Sequence, residues 1–308
     1  MRYLISMILL LVILSCASHR AIKTPPVKVI LTAGQSNTDG RIMNTELPPY
    51  ILNDYGKNET YKYCKISKGS RRDTITGLFS SFWPTIGDKN NSHKWAYDAI
   101  TYYWLEKSLQ KDFYVIKWSL GGTAIDTAAI SNSKCYWQAD ANWLARNTST
   151  INGGHSLLLS FEENINTCID STLSKLENGY EISAFLWHQG ESDSKYGEHY
   201  YDNLKKVVAH VRTFLVKKTN ETKYARLPFI CGTVSRSNKG YSESVEKAMY
   251  RLAAEDKDFY VIDMSKGELQ KDQLHFTKTA GEYFGTEIYN KLVDLGLAGV
   301  GAKKIRRN

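Results

Sequence analysis

Five short runs of apolar and β-branched residues, each closing on a glycine or a polar loop, confine this chain to few folds. Residues 27–32 (VKVILT) stop at Ala33-Gly34, residues 113–118 lead to Gly121-Gly122, and residues 182–187 lead to His188-Gln189-Gly190. Residues 228–234 and 259–262 repeat the pattern. Apolar runs of this length, bounded by turn residues, read as strands buried on both faces. Between them lie helical periodicities. The clearest puts Leu204, Val207, Val208, Val211, Phe214 and Leu215 on one face, and others fit residues 95–109, 160–176, 244–256 and 277–295. Strands that alternate with helices pair in parallel, because each crossover helix packs back over one face of the sheet. The expected architecture is one α/β domain, a doubly wound α/β/α sandwich around a five-stranded parallel sheet. Residues 41–92 and 127–155 show no clear period and read as long loops, which in a compact domain are usually functional or mobile.

The chain has 308 residues, of which 42% are hydrophobic and 23% charged. That composition excludes intrinsic disorder and supplies a substantial core. The first sixteen residues differ in kind: Arg2 precedes an apolar run over 4–14, closed by Leu14-Ser15-Cys16. The run is too short to span a bilayer as a helix, which takes about 20 apolar residues, and it reads as a bacterial lipoprotein signal with Cys16 as the acylated N-terminus. The expected organisation is a signal peptide over 1–16, a tether over 17–26 ending at Pro25-Pro26, a folded domain over 27–298 and a solvated basic tail over 299–308. Such a chain is anchored by lipid in the bacterial cell envelope, on the periplasmic or the cell-surface side. Export to an oxidising compartment leaves Cys64, Cys135, Cys168 and Cys231 as an even set with room for up to two disulfides. Cys231, inside an apolar strand, reads as a buried thiol. None of the four has zinc-site spacing. The formal charge of +8 is partly concentrated in the tail, and the remaining basic residues are scattered rather than interleaved with aromatics, so nucleic acid is not an expected partner.

In an open parallel sheet the ligand site lies beyond the carboxyl ends of the strands. Gly34-Gln35-Ser36-Asn37 follows the first run, Ser119-Leu120-Gly121-Gly122-Thr123 the second, and His188-Gln189-Gly190-Glu191-Ser192-Asp193 the third. Asp272-Gln273-Leu274-His275 follows the fifth. Together they bring the parts of a nucleophilic site to one rim. A serine hydroxyl needs a base, and histidine titrates near neutrality, so Ser36 and His275 form the candidate pair. Asp272, three residues before His275, is placed to fix the tautomer and stabilise the imidazolium, with Glu191 as the second candidate. An acyl-transfer oxyanion also needs donors. The candidates are the Ser36 N–H, an N–H at Gly121 or Gly122 and the Gln189 amide, with Gln35 and Asn37 supporting the loop. Taken singly, each motif is an ordinary turn or helix cap. Their coincidence on one rim carries the reading.

These four blocks, in this order, resemble the SGNH-hydrolase superfamily, and within it the branch of sialate O-acetylesterases and family 6 carbohydrate esterases. The matching segments are Gly34 to Asn37, Gly121-Gly122-Thr123, His188 to Asp193, and Asp272 to His275. The resemblance implies a flavodoxin-like fold, no metal or other cofactor, and removal of acetyl groups from sugars such as sialic acid or xylan through an acetyl-serine intermediate. It also implies that Gln189 replaces the asparagine donor of other members. Relatives often carry methionine where this chain has Thr38, and tryptophan near Asp126-Thr127-Ala128, positions expected to border the acyl pocket. The other readings are a lipid or thioester esterase of the same superfamily and a non-catalytic glycan-binding lipoprotein. The aromatics Tyr50, Tyr55, Tyr61, Tyr63, Trp83, Tyr136, Trp137 and Trp143 crowd the two long loops and suit either sugar stacking or plain packing.

Overall fold

A computed structural model of the chain describes residues 24–55, 60–71, 73–83 and 94–306. The expected signal peptide, Cys16 and the first part of the tether lie outside the described residues. The sheet is built on β1 (Val27–Gly34), β6 (Phe113–Ser119), β7 (Tyr180–His188), β8 (Phe229–Gly232) and β9 (Phe259–Ile262), the five strands read from the sequence. A sixth parallel strand, β3 (Cys64–Gly69), pairs with β6, and the two-residue β4 (Ser80–Ser81) lies antiparallel along its outer edge. The order is β4-β3-β6-β1-β7-β8-β9, so the sheet has seven strands rather than five. The two extra strands fall inside the segment read as a loop. Cys64-Lys65-Ile66-Ser67-Lys68-Gly69 offers only two strongly apolar side chains, and its strand character comes from pairing with β6. A short ladder of β2 (Ile42–Met43) with β5 (Lys94–Trp95) completes the strands.

Alternation along β1 shows why the sheet needs cover on both faces. Val29, Leu31 and Ala33 enter one core layer, with residues of α5 (Leu157–Ser171), α6 (Gly197–Thr219) and α7 (Glu243–Glu255). Ile30 enters the other, with α3 (Tyr97–Leu109) and α8 (Lys278–Asp294). The remaining helices are short: α1 (Ser36–Asp39), α2 (Pro49–Tyr55) and α4 (Ala141–Leu144). Most of the loop aromatics are packing residues. Tyr61 and Trp137 are fully buried, and Tyr50 and Tyr55 lie against Tyr103, whereas Trp83 is 46% exposed. The four cysteines described are free thiols in the interior, so the two disulfides the spacing left room for are not formed. The tail also departs from expectation. Ile305 exchanges two backbone bonds with the Asn290 side chain, and Lys304 pairs with Asp294, so 299–306 docks on α8 instead of trailing into solvent.

The chain runs from β1 through β3 and β6 on one side, then crosses to β7 on the other. The order therefore reverses at β1, and the loops after β1, β6 and β7 diverge around one crevice, the place where open α/β sheets bind ligands.

Candidate active site

The loop after β1 is shaped by Gly34. Its φ is +150°, and a Cβ there would lie 2.2 Å from the His188 carbonyl oxygen, so only glycine lets the chain leave the sheet at this point. Gln35 donates its N–H to that same carbonyl at 3.0 Å, and Leu120 donates to Gly34 O at 3.2 Å. These bonds tie together the three loops that flank the crevice. Ser36 then opens α1 and is 8% exposed. It lines a cleft of about 350 Å³ with Gln35, Arg41, Gly121, Gly122, Glu191 and His275.

His275 reaches this cleft from the loop between β9 and α8. Its Nδ1 lies 2.6 Å from Asp272 Oδ2, while Asp272 Oδ1 accepts the N–H groups of Leu274 at 2.9 Å and His275 at 3.1 Å. Partial burial pushes the Asp272 carboxyl up, but those two N–H groups and the imidazole outweigh it and hold it below the usual carboxylate range. Both residues flanking His275 are clamped to the serine loop. Asn37 Oδ1 accepts the Phe276 N–H at 3.0 Å and Asn37 Nδ2 donates to Leu274 O at 3.4 Å. Asn238 donates to the same Leu274 carbonyl at 2.8 Å, and Gln270 bridges the carbonyls of Arg41 and Phe276. Asn37 also donates to Glu191 Oε1 at 3.0 Å. Glu191 thus supports the histidine loop through Asn37, and the carboxylate bonded to the imidazole is that of Asp272.

The donor groups divide differently from the sequence expectation. A Cβ on Gly121 would come within 3.3 Å of Ser36 Cβ and 2.5 Å of the Arg41 guanidinium, which places this backbone directly beside the serine. Among the described residues, neither the Ser36 N–H nor the Gly121 N–H is used in a backbone hydrogen bond. Gly122 has a φ of +71° and lines the same cleft. Gln189, expected as a third donor, points into the protein instead. It is 0% exposed, and its Nε2 donates to Asp193 Oδ2 at 2.5 Å, Thr123 O at 3.0 Å and Gln35 Oε1 at 3.3 Å. With both amide hydrogens committed, it has none for an oxyanion. Its partner Asp193 also accepts the N–H groups of Ile125 and Asp126, pinning the glycine loop to the β7 loop. Burial pushes the Asp193 carboxyl up to about 6 against the pull of these donors.

Two positions expected at the acyl pocket lie elsewhere. Thr38 is 0% exposed and bonds to Tyr97 and the His188 carbonyl, while the Asp126 carboxylate holds His199 at 2.8 Å and Asn203 at 3.2 Å. His188, also fully buried, packs on Phe276 and Phe284. Arg41 was not legible in the sequence, where it is one basic residue in a stretch without period. In the fold its Nη1 bonds to Asp39 Oδ2 at 2.7 Å and to Gly40 O at 2.6 Å, which turns the guanidinium into the wall of the serine cleft.

A mostly parallel sheet covered by helices on both faces, with its cleft at the reversal of strand order, places the chain among the doubly wound α/β proteins, and its family makes it a carboxylic-ester hydrolase. Residues 115–294 match the family described as carbohydrate esterase, sialic acid-specific acetylesterase, and the chain belongs to that family. The matched segment begins at β6 and so does not include Ser36. Among solved structures, a protein from Arabidopsis thaliana is 19% identical with a TM-score of 0.60, covering 88% of this chain and 99% of its own. NanS is 14% identical with a TM-score of 0.57, covering 88% and 98%. A carbohydrate acetylesterase from Xanthomonas citri is 13% identical with a TM-score of 0.54, covering 88% of this chain and 56% of its own. At these identities the likenesses speak for the fold. No curated protein matches the sequence.

Proposed function

We propose that the chain removes O-acetyl groups from sugars by a serine mechanism, with Ser36 as nucleophile, His275 as base and Asp272 as its orienting acid. The observation that carries the reading is the Asp272-bonded imidazole held in the same cleft as Ser36 by Asn37. His275 takes the Ser36 proton as Oγ attacks the acetyl carbonyl, and Asp272 stabilises the imidazolium. The Ser36 and Gly121 N–H groups receive the oxyanion, where one such donor is typically worth about 10²–10³ in rate. The imidazolium then protonates the departing sugar oxygen. Water, deprotonated by the same histidine, attacks the acetyl-serine and releases acetate. Family membership favours an acetylated sugar over a lipid or thioester substrate. We further propose that acylated Cys16 tethers the domain to the cell envelope; incorporation of labelled palmitate into wild type but not Cys16→Ser tests this.

Ser36→Ala is expected to abolish hydrolysis of an aryl acetate, leaving the circular dichroism spectrum unchanged. Near wild-type turnover in that variant contradicts the assignment. Acetate release from acetylated xylan, pectin and sialic acid then ranks the sugars. Faster cleavage of an octanoyl than of an acetyl ester would instead favour the lipid-esterase reading.

A further inference from the structure

A second cleft, of about 280 Å³, opens beside the serine cleft at the carboxyl ends of β3 and β6. The two share a wall. Asp39, three residues after Ser36, lines the second cleft and bonds to Arg41, which lines the first. Ser119 Oγ donates to Asp39 Oδ1 at 3.3 Å from the same side.

The floor of this cleft is electrostatically unusual. Lys68 of β3 and Lys117 of β6 are partners in the parallel register, so two ammonium-bearing side chains leave neighbouring strands side by side. Strands lie about 4.8 Å apart, and like charges at that spacing repel. Only one of the two forms an ion pair. Lys117 Nζ is buried against Asp98 Oδ2 at 2.6 Å. Among the described residues Lys68 has no ion-pair partner, and the surrounding protein, followed by the charge of Lys117, holds its ammonium below the ordinary lysine range against the pull of Asp98, Asp39 and Asp73. The other carboxylates of the cleft are engaged, Asp39 with Arg41 and Asp73 with the Ser70 N–H. Asp98 Oδ1 is buried with no hydrogen-bond partner. At the margin stands Trp83, the loop aromatic that packing leaves 46% exposed. The cleft therefore presents an exposed lysine that forms no ion pair and an open aromatic face. An acyl chain has nothing to bond there, whereas a sugar unit with an apolar ring face and an acidic group matches both.

We infer that this cleft is a second sugar subsite that holds a carboxylate-bearing unit next to the acetylated one, with Lys68 as the counter-ion of that carboxylate. The inference rests on the reading of the serine cleft as a sugar O-acetylesterase site. It makes the enzyme one that prefers acidic oligosaccharides over isolated acetylated units.

The test compares glucuronosyl-xylose acetylated on the xylose with acetylated xylobiose and with an aryl acetate, for wild type and Lys68→Met. Wild type is expected to favour the acidic disaccharide by about tenfold or more in kcat/KM, the size of one hydrogen bond to a charged group. Lys68→Met is expected to erase that preference through KM and leave aryl acetate turnover unchanged. Trp83→Ala is expected to raise KM for both disaccharides. Calorimetry with unacetylated glucuronosyl-xylose and the full wild-type chain reads the subsite without turnover. Lys68-dependent binding with no cleavage of any acetylated sugar would retain the subsite and overturn the proposed substrate class. Cleavage of both sugars with Lys68→Met indistinguishable from wild type in preference and in binding overturns the subsite, as does an equal loss on the aryl acetate.

Discussion

Asp272 and Glu191 are both carboxylates near the candidate base, and geometry gives them different work. Asp272 touches the imidazole directly, while Glu191 touches Asn37. Asp272→Asn is expected to lower kcat by about 10⁴, because the amide no longer selects the productive tautomer. Glu191→Gln keeps an acceptor for Asn37 and is expected to cost less than about tenfold, the scale of one neutral hydrogen bond. Parallel kcat measurements on an aryl acetate decide between them, and reversal of the two effects would move the acid role to Glu191. Asn37→Ala removes the bonds to the residues flanking His275, and kcat should fall with a lower melting temperature. That Ser36, Asp272, His275 and Gly121 would meet was legible because each position follows from local order: a serine after a strand, an acid three residues from a histidine, a glycine where a backbone must come close. Gln189 was not legible. It too follows a strand, but whether its amide faces the crevice or the interior depends on Tyr200, Thr123 and Asp193, which come from other elements.

Among the elements, the loop after β6 depends on one buried carboxylate. Asp193 accepts backbone N–H groups at 125 and 126 and the Gln189 amide, and its carboxyl sits near 6 in the fold against about 3.9 in an unfolded chain. A folded-state value above the unfolded one means the native state holds the proton more tightly. The associated stability is present in full below about pH 4 and is lost as pH rises through about 6, by about 3 kcal/mol. Urea unfolding of wild type and Asp193→Asn at pH 4 and 7 should show that loss in wild type alone; a parallel pH response in both proteins would contradict it. The five apolar strands were readable because burial on both faces demands continuous apolar sequence. β3 was not, since its outer neighbour is only the two-residue β4 and its Lys65 and Lys68 carry charge. Pairing in register with β6 makes it a strand despite its composition.

Across the whole molecule, two core layers and a docked C-terminal segment hold the rim rigidly enough for four loops to meet. All four cysteines described lie inside those layers as free thiols. A chain beginning at residue 17 should therefore leave them unreactive toward an aromatic disulfide reagent until it unfolds, and then titrate four; fewer would mean that a bridge forms. The domain's α/β class was legible in the rhythm of strand and helix, while the path of 299–306 was not, because Asn290 gives no sequence sign that it will capture the backbone of Ile305. What the two layers hold in place is a serine, and its acetylation is the central step of the proposed reaction. Rapid acid quench of the enzyme during turnover of an aryl acetate, followed by peptide mass spectrometry, should find one acetyl group on Ser36 and none in Ser36→Ala. Acetylation at another residue, or rapid turnover with Ser36 never modified, would contradict it.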